Sequence, residues 1–161
     1  MKILLFFIIL LIFSSDLSIA QISDEMIRKE VLQKNEIGKT FTYGRWSENG
    51  GTETELTYLG TIQNYKIVNS SWIWGISKRA TNRIILFDSK NEYIGNYYVT
   101  TKCDLPNRIE NNNMIFLRSD CEDCDDTENK IEFKNGIPDN IFLNCMGKYG
   151  DLYSFDRKLI E

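Results

Sequence analysis

Four cysteines carry the most distinctive chemistry in this sequence: Cys103, Cys121, Cys124 and Cys145. An even number of cysteines in an exported protein is typical of structural disulfides, and four of them allow three connectivities. A zinc site with four cysteine ligands usually draws on two CxxC pairs, whereas this chain has one, at residues 121–124. The spacing therefore predicts two disulfides and no free thiol.

The CxxC spacing is also found in thiol–disulfide catalysts, which need a cysteine of lowered pKa among positive neighbours or at a helix N-terminus. Here the neighbours are acidic, so redox catalysis is not expected. Clustered carboxylates suit Ca²⁺, but the run lacks the D-x-[DN]-x-[DN]-G spacing of a calcium loop. We predict a solvated loop with no metal and no cofactor. The alternative is a Ca²⁺ site formed by Asp120, Glu122, Asp123, Asp125 and Asp126.

Catalysis has little support in the residue types. The chain contains no histidine, which excludes Ser-His-Asp and Cys-His catalysis and HExxH zinc sites. With no other catalytic motif, we expect no catalytic residues and a protein that is not an enzyme. A small carboxylate-using enzyme of an export compartment is the least favoured class. The net charge of −4, without a cluster of Lys and Arg, argues against a nucleic-acid partner.

Aromatic side chains are the candidate binding residues. Trp72 and Trp74 flank Ile73, so in a strand both indoles project from the same face. They could stack on a sugar, line an apolar cavity or hold a protein partner. The preferred interpretation is that they fill the core, because buried aromatics dominate small β-cores. The candidate ligand- or partner-binding residues are Trp46, Trp72, Trp74 and Tyr97.

A β-hairpin over residues 83–100 is the clearest of the elements that must position these side chains. Two apolar runs flank the polar tetrad 89–92, with Asp88 expected opposite Tyr93. Both faces of the hairpin carry apolar side chains, so it should lie in the middle of a sheet with cover on both sides.

The remaining pattern predicts short strands separated by polar turns, after one amphipathic helix at residues 23–34. The predicted strands lie at residues 39–46, 54–59, 65–69, 72–77, 114–118, 130–134 and 151–156. A loop over residues 134–140 should pair Phe133 with Ile141 and Ile131 with Leu143, because matching apolar faces then meet. The expected fold class is all-β, an antiparallel meander of about eight or nine short strands forming a barrel or a sandwich.

This register also bears on the disulfides, because it places Cys145 across from Asn129, just beyond the acidic run. Cys121 or Cys124 is then within reach of Cys145, and the other would bond to Cys103. The competing pattern joins Cys121 to Cys124 and Cys103 to Cys145.

Gly44-Arg45-Trp46 is a GxW triplet near the start of the first predicted strand, after the short helix. It resembles the opening motif of lipocalins, which are β-barrels that bind small apolar ligands. The resemblance covers this triplet and the meander-like number of strands. It implies, as an alternative function, a lipocalin-like carrier of a small apolar ligand.

Residues 1–20 are typical of a cleaved signal peptide, with a basic Lys2, an apolar core and small residues up to Ala20. Residues 21–161 are then expected to form a single β-rich domain, secreted or periplasmic, with no membrane span. The combined expectation is a binding module for an unknown protein or small ligand.

Overall fold

The computed structural model describes residues 24–119, 121, 124–125 and 128–158. The predicted signal peptide, residues 1–20, lies outside these ranges, and of the acidic residues considered for Ca²⁺ only Asp125 lies within them. No helix within the described ranges is long and apolar enough to cross a membrane.

The described chain forms ten strands in two antiparallel sheets, after one helix, α1, at residues 24–34. The strands are β1 (Thr40–Ser47), β2 (Gly51–Ile62), β3 (Tyr65–Trp74), β4 (Arg79–Phe87), β5 (Tyr93–Val99), β6 (Arg108–Glu110), β7 (Asn113–Leu117), β8 (Glu128–Glu132), β9 (Asn140–Met146) and β10 (Tyr149–Arg157). The large sheet has the order β1-β2-β3-β4-β5-β10-β9, and the small sheet the order β6-β7-β8. The large sheet is open, with β1 and β9 at its edges, so the arrangement is sandwich-like and not a closed barrel. The predicted all-β, antiparallel class is confirmed.

The predicted hairpin is present as β4 and β5, the fourth and fifth of the seven strands in the large sheet. Ile84 lies opposite Tyr97, but a bulge at Phe87 puts Tyr93 opposite Phe87 instead of Asp88. Asp88 is engaged in the turn, where its Oδ1 accepts two backbone N–H groups at 2.8 and 2.9 Å. Tyr93 therefore turns toward the Phe87 ring, with 6.1 Å between the ring centroids.

Apolar clusters cover both faces of the hairpin, as its two-sided pattern predicts. One face meets the small sheet. The cluster between them contains Ile84, Leu86 and Tyr97 of the hairpin, together with Met114, Phe116 and Phe133. The opposite face, which we call the helix face, lies under α1. Its cluster consists of Val31, Leu32, Leu56, Tyr58, Val68, Ile85 and Phe87.

The amphipathic pattern of α1 explains how it lies on the sheet. Val31 and Leu32 are buried against the strands. The solvent side carries ion pairs one turn apart, such as Lys34 with Glu30 at 2.5 Å, which stabilise a helix by a few tenths of a kcal/mol each. The helix ends before Asn35, whose φ of 52° lies in the left-handed region that terminates helices.

The predicted hairpin between β8 and β9 is wrong. β8 pairs with β7, with Ile131 opposite Met114, and β9 pairs with β10. Ile131 and Leu143 still pack in the same apolar cluster, as the alternation of each strand predicts. They come from two different sheets and not from one hairpin. One link between β8 and β9 remains, since the Asn129 amide bonds to the backbone N–H and C=O of Asn144 at 2.8 and 3.0 Å.

Two smaller boundaries also differ from the prediction. Residues 65–69 and 72–77 were expected as separate strands, but β3 is continuous and ends at Trp74. Gly75 and Lys78 have φ values of 71° and 51°, so the chain turns there into β4. β6 was not predicted, because Ile109 is the sole apolar side chain among its three residues.

Alkaline pH is expected to destabilise the fold through Tyr97. Burial raises the pKa of the Tyr97 phenol well above its usual value, and its O–H donates to the Pro138 carbonyl at 2.5 Å. The unfolded chain loses this proton at about pH 10 while the folded chain keeps it, so stability is full below that pH and falls as the pH rises through it. Urea unfolding between about pH 9 and 11 should show a shallower decline for Tyr97→Phe than for the wild type.

Tyr149→Phe is the control for this measurement, because Tyr149 is 80% exposed. It should follow the wild-type curve. If Tyr97→Phe also follows that curve, the buried phenol is not the group responsible.

Candidate functional site

α1 leaves part of the helix face uncovered. Its eleven residues span about 16 Å, whereas the twelve residues of β2 span about 40 Å. A groove of about 380 Å³ lies beside the first turn of α1, between the helix and the exposed parts of β2, β3 and β4. We call it the helix groove, and the side chains discussed below that line it are Arg28, Thr54, Ser70, Trp72, Thr81 and Arg83.

Strand register explains how distant residues meet in the helix groove. Thr54 lies opposite Trp72, and Trp72 lies opposite Thr81, which gives one row of side chains across three strands. The next row is formed by Ser70, Arg83 and Tyr98. Because side chains two apart share a face, both rows project from the helix face.

Trp72 lies at the surface of the helix groove. Its side chain is 41% exposed and stacks on Trp74, with 5.6 Å between ring centroids and an interplanar angle of 24°. The predicted shared face is therefore confirmed, but the interpretation that both indoles fill the core does not hold for Trp72. The reason is that α1 packs on the helix face near Val68 but does not extend over Trp72, which therefore stays exposed.

The other two tryptophans have fixed indoles at the same end of the sheet. Trp74 Nε1 donates to Thr81 Oγ1 at 3.2 Å, and Trp46 Nε1 donates to the Gly75 carbonyl at 2.9 Å. The Lys78 ammonium lies 5.1 Å from the centroid of the Trp46 ring. The three tryptophans predicted as candidate binding residues therefore lie close to the turn between β3 and β4.

Tyr97 does not belong to this group. It has no exposed surface, and its ring packs on Phe155 with 4.9 Å between centroids. A molecule bound at the surface therefore cannot contact Tyr97.

Two arginines at the helix groove were missed by the sequence reasoning. Arg28 pairs with Asp24 at 2.5 Å, and its side chain is 16% exposed. Arg83 lies 4.7 Å from the centroid of the Tyr98 ring and forms no ion pair with any described carboxylate. The Nε atoms of both arginines are buried without an acceptor. The available signal was Arg83 itself, a cation directly before the apolar run of residues 84–87 in β4.

A second cavity of about 400 Å³ lies on the far side of Arg28 and Arg83. Tyr93 lines it and donates its O–H to Asn96 Oδ1 at 2.8 Å. Burial raises the pKa of the Tyr93 phenol, so this donor stays protonated to a higher pH than an exposed phenol. The amide nitrogen of Asn96 is buried with no acceptor.

The cysteines form two disulfides, Cys103–Cys121 and Cys124–Cys145, and none of the four is free. This is one of the two pairings that the predicted position of Cys145 favours. The sulfur atoms of Cys103 and Cys121 lie near the Asp104 carboxylate, but both are oxidised and so are not thiolate ligands for a metal. Asp125 donates its backbone N–H to the Cys145 carbonyl at 2.8 Å.

No family model, curated protein or solved structure matches the chain.

The Gly44-Arg45-Trp46 triplet has a local explanation. Gly44 has a φ of 75°, and a Cβ there would lie 2.5 Å from the Thr52 carbonyl oxygen. The bulge that follows Gly44 in β1 therefore requires glycine.

Proposed function

We propose that this chain is an exported binding module and that its partner, a small molecule or a segment of a protein, binds in the helix groove against Trp72. The observation that carries the proposal is a tryptophan 41% exposed, stacked on a second tryptophan and lining a groove. Exposed aromatics of this kind are typical of binding surfaces, because they offer a large rigid area with little entropy to lose.

The proposed export rests on two features. Residues 1–20 have the pattern of a signal peptide. The two disulfides indicate an oxidising environment such as the extracellular space or the periplasm, because thiols of cytosolic proteins are kept reduced.

A polar partner is better supported than the apolar ligand of a lipocalin-like carrier. Large side chains fill both apolar clusters in the described part of the chain, including Phe116 and Phe133, each 1% exposed or less. The helix groove, in contrast, is lined by Thr54, Ser70 and Thr81 together with the two arginines. Hydroxyl and guanidinium groups donate hydrogen bonds that an apolar ligand would leave unsatisfied.

Trp72→Ala is expected to remove binding while keeping the fold. The half-exposed ring should cost about 1–2 kcal/mol of unfolding free energy, below the roughly 3–5 kcal/mol of a fully buried aromatic. Native mass spectrometry of the protein purified from its host should show a bound mass on the wild type and none on Trp72→Ala.

Tyr149→Ala is the matched control, because Tyr149 is an exposed aromatic outside the helix groove. It should retain the bound mass. Equal retention by Trp72→Ala would refute the proposed site, and a stability loss as large as that of a core aromatic would show that Trp72 is structural.

A further inference from the structure

We infer that the ligand of the helix groove carries an oxyanion group, a carboxylate, sulfate or phosphate, which Arg28 and Arg83 hold beside the Trp72 ring. The inference rests on the proposed function for the position of the ligand. It adds the chemical class of the ligand, which the function alone leaves open.

Arg83 is a cation without an anionic partner among the described residues. It projects from the middle of β4, between Ser70 and Tyr98 in the neighbouring strands, and is half-buried. Its Nε is buried with no acceptor, and its described contact is with the face of the Tyr98 ring. Partly desolvating a cation without an anionic partner is unfavourable, so a bound anion would supply what the chain does not.

Other arginines of the described chain show the contrast. Arg108, Arg118 and Arg157 each pair with a carboxylate of this chain. Asp156 lies near Arg83, lining the second cavity with it, but the two form no ion pair. Arg45 and Arg79 also form no ion pair, but both are exposed to water. Among the described arginines, Arg83 is thus the one that is half-buried without a carboxylate partner.

Arg28 is the second guanidinium group of the helix groove. It lines the same groove, and its Nε also lacks an acceptor while its Nη2 pairs with Asp24. Asp24 also lines the helix groove, which therefore contains two guanidinium groups and one carboxylate, and one positive charge has no counterpart among the lining residues. A planar guanidinium matches the two oxygens of a carboxylate, sulfate or phosphate.

The surroundings of the arginines define the rest of the ligand. Thr54, Ser70 and Thr81 offer hydroxyl groups along the same surface, and Trp72 offers an exposed aromatic ring. A ligand with an oxyanion at one end and a ring with a flat apolar face beside it would engage both parts of the groove. An acidic sugar has this combination, and an inorganic anion has the first part alone.

Arg83→Gln tests the inference in two ways. Without ligand, its melting temperature should equal or exceed that of the wild type, because an unpaired half-buried charge is removed. With ligand, NMR titrations that follow the Trp72 indole should show binding of D-glucuronate and of inorganic phosphate to the wild type at low ionic strength. The affinity for both should fall roughly ten- to a hundredfold in Arg83→Gln, the loss expected for a charged hydrogen-bond partner.

Arg79→Gln is the matched control, since Arg79 lies on the same strand and the same face but outside the helix groove. It should bind both probes like the wild type. D-Glucose, which has the ring without the oxyanion, should bind less tightly than D-glucuronate. If phosphate and D-glucuronate bind equally well, a free inorganic anion is the better candidate, and tighter binding of D-glucuronate favours an acidic ring.

Three results would overturn the inference. They are no response of Trp72 to either anionic probe, an equal loss of affinity in Arg79→Gln and Arg83→Gln, and a large loss of thermal stability in Arg83→Gln. If D-glucose and D-glucuronate bind equally and Arg83→Gln changes neither, the oxyanion inference fails while the proposed function of the groove stands. If the host-purified wild type and Trp72→Ala retain the same bound mass, the proposed function fails instead.

Discussion

Arg118→Met is expected to lower the free energy of unfolding by about 3–5 kcal/mol, because it leaves a buried carboxylate without its cation. Arg118 and Asp104 form an ion pair in which each side chain is 3% exposed. The second oxygen of Asp104 accepts the backbone N–H and the hydroxyl of Thr101 at 2.9 and 2.8 Å. These two bonds do not reach the oxygen that faces Arg118, so the substitution leaves that oxygen unpaired in the interior.

Arg108→Met is the matched control for Arg118→Met. Arg108 also pairs with a carboxylate, Glu110, at 2.9 Å, but its side chain is 43% exposed. Exposed pairs contribute little to stability, since water and salt screen them. Urea unfolding of both variants should separate the two losses clearly, and equal losses would contradict the assignment of Arg118 and Asp104 as a buried pair.

A double variant tests the cause of the loss. Asp104→Leu combined with Arg118→Met removes both charges, so no unpaired carboxylate is left in the interior. It should be more stable than Arg118→Met alone, because replacing a buried ion pair by apolar residues is often neutral or favourable. A double variant less stable than the single one would mean that the packing and the two Thr101 hydrogen bonds lost with Asp104 outweigh the charge at this position.

The sequence predicts those parts of the fold that depend on local alternation. Residues 83–100 show a hairpin apolar on both faces, and the structure covers both faces. The partner of β8 could not be predicted in the same way. Ile131 faces the core whether β8 pairs with β7 or with β9, so burial of its apolar face does not select between them.

The sequence likewise predicts the locally determined part of the candidate site and not the part that depends on tertiary packing. Period-two alternation predicts that Trp72 and Trp74 share a face, and their stacking confirms it. Exposure of Trp72 depends on where α1 stops covering the sheet, which no local pattern contains. Arg28 and Arg83 lie in different elements and come together only through the packing of α1 on β4, so the sequence does not show that they belong to one site.

Removal of the Cys124–Cys145 bond by a double substitution to serine is expected to cost about 2–5 kcal/mol, with about 3 kcal/mol expected from loop entropy. The bond closes a loop with a sequence separation of 21 residues. It joins the segment between β7 and β8 to β9, and so connects the small sheet to the edge of the large one. Urea unfolding of the double variant under oxidising conditions, compared with the wild type, measures the loss.

The Cys103–Cys121 bond gives the comparison, because its sequence separation of 18 residues is similar. Loop entropy alone predicts nearly equal losses for the two bonds. Non-reducing peptide mapping must first show both pairs, and a different pairing would refute this prediction at the outset. If the Cys124–Cys145 variant loses much more unfolding free energy than the Cys103–Cys121 variant, the difference is due to the contact between the sheets.

Coupling to Arg118 provides the last test of the Cys124–Cys145 bond. Arg118 Nη2 donates to Cys124 Sγ at 3.2 Å, so the disulfide and the buried ion pair share a contact. Losses at residues in contact are not additive, with interaction energies of about 0.5–3 kcal/mol. A variant combining Arg118→Met with the two serine substitutions should therefore lose less stability than the separate losses together. If the losses add within about 0.5 kcal/mol, the disulfide and the ion pair stabilise the protein independently.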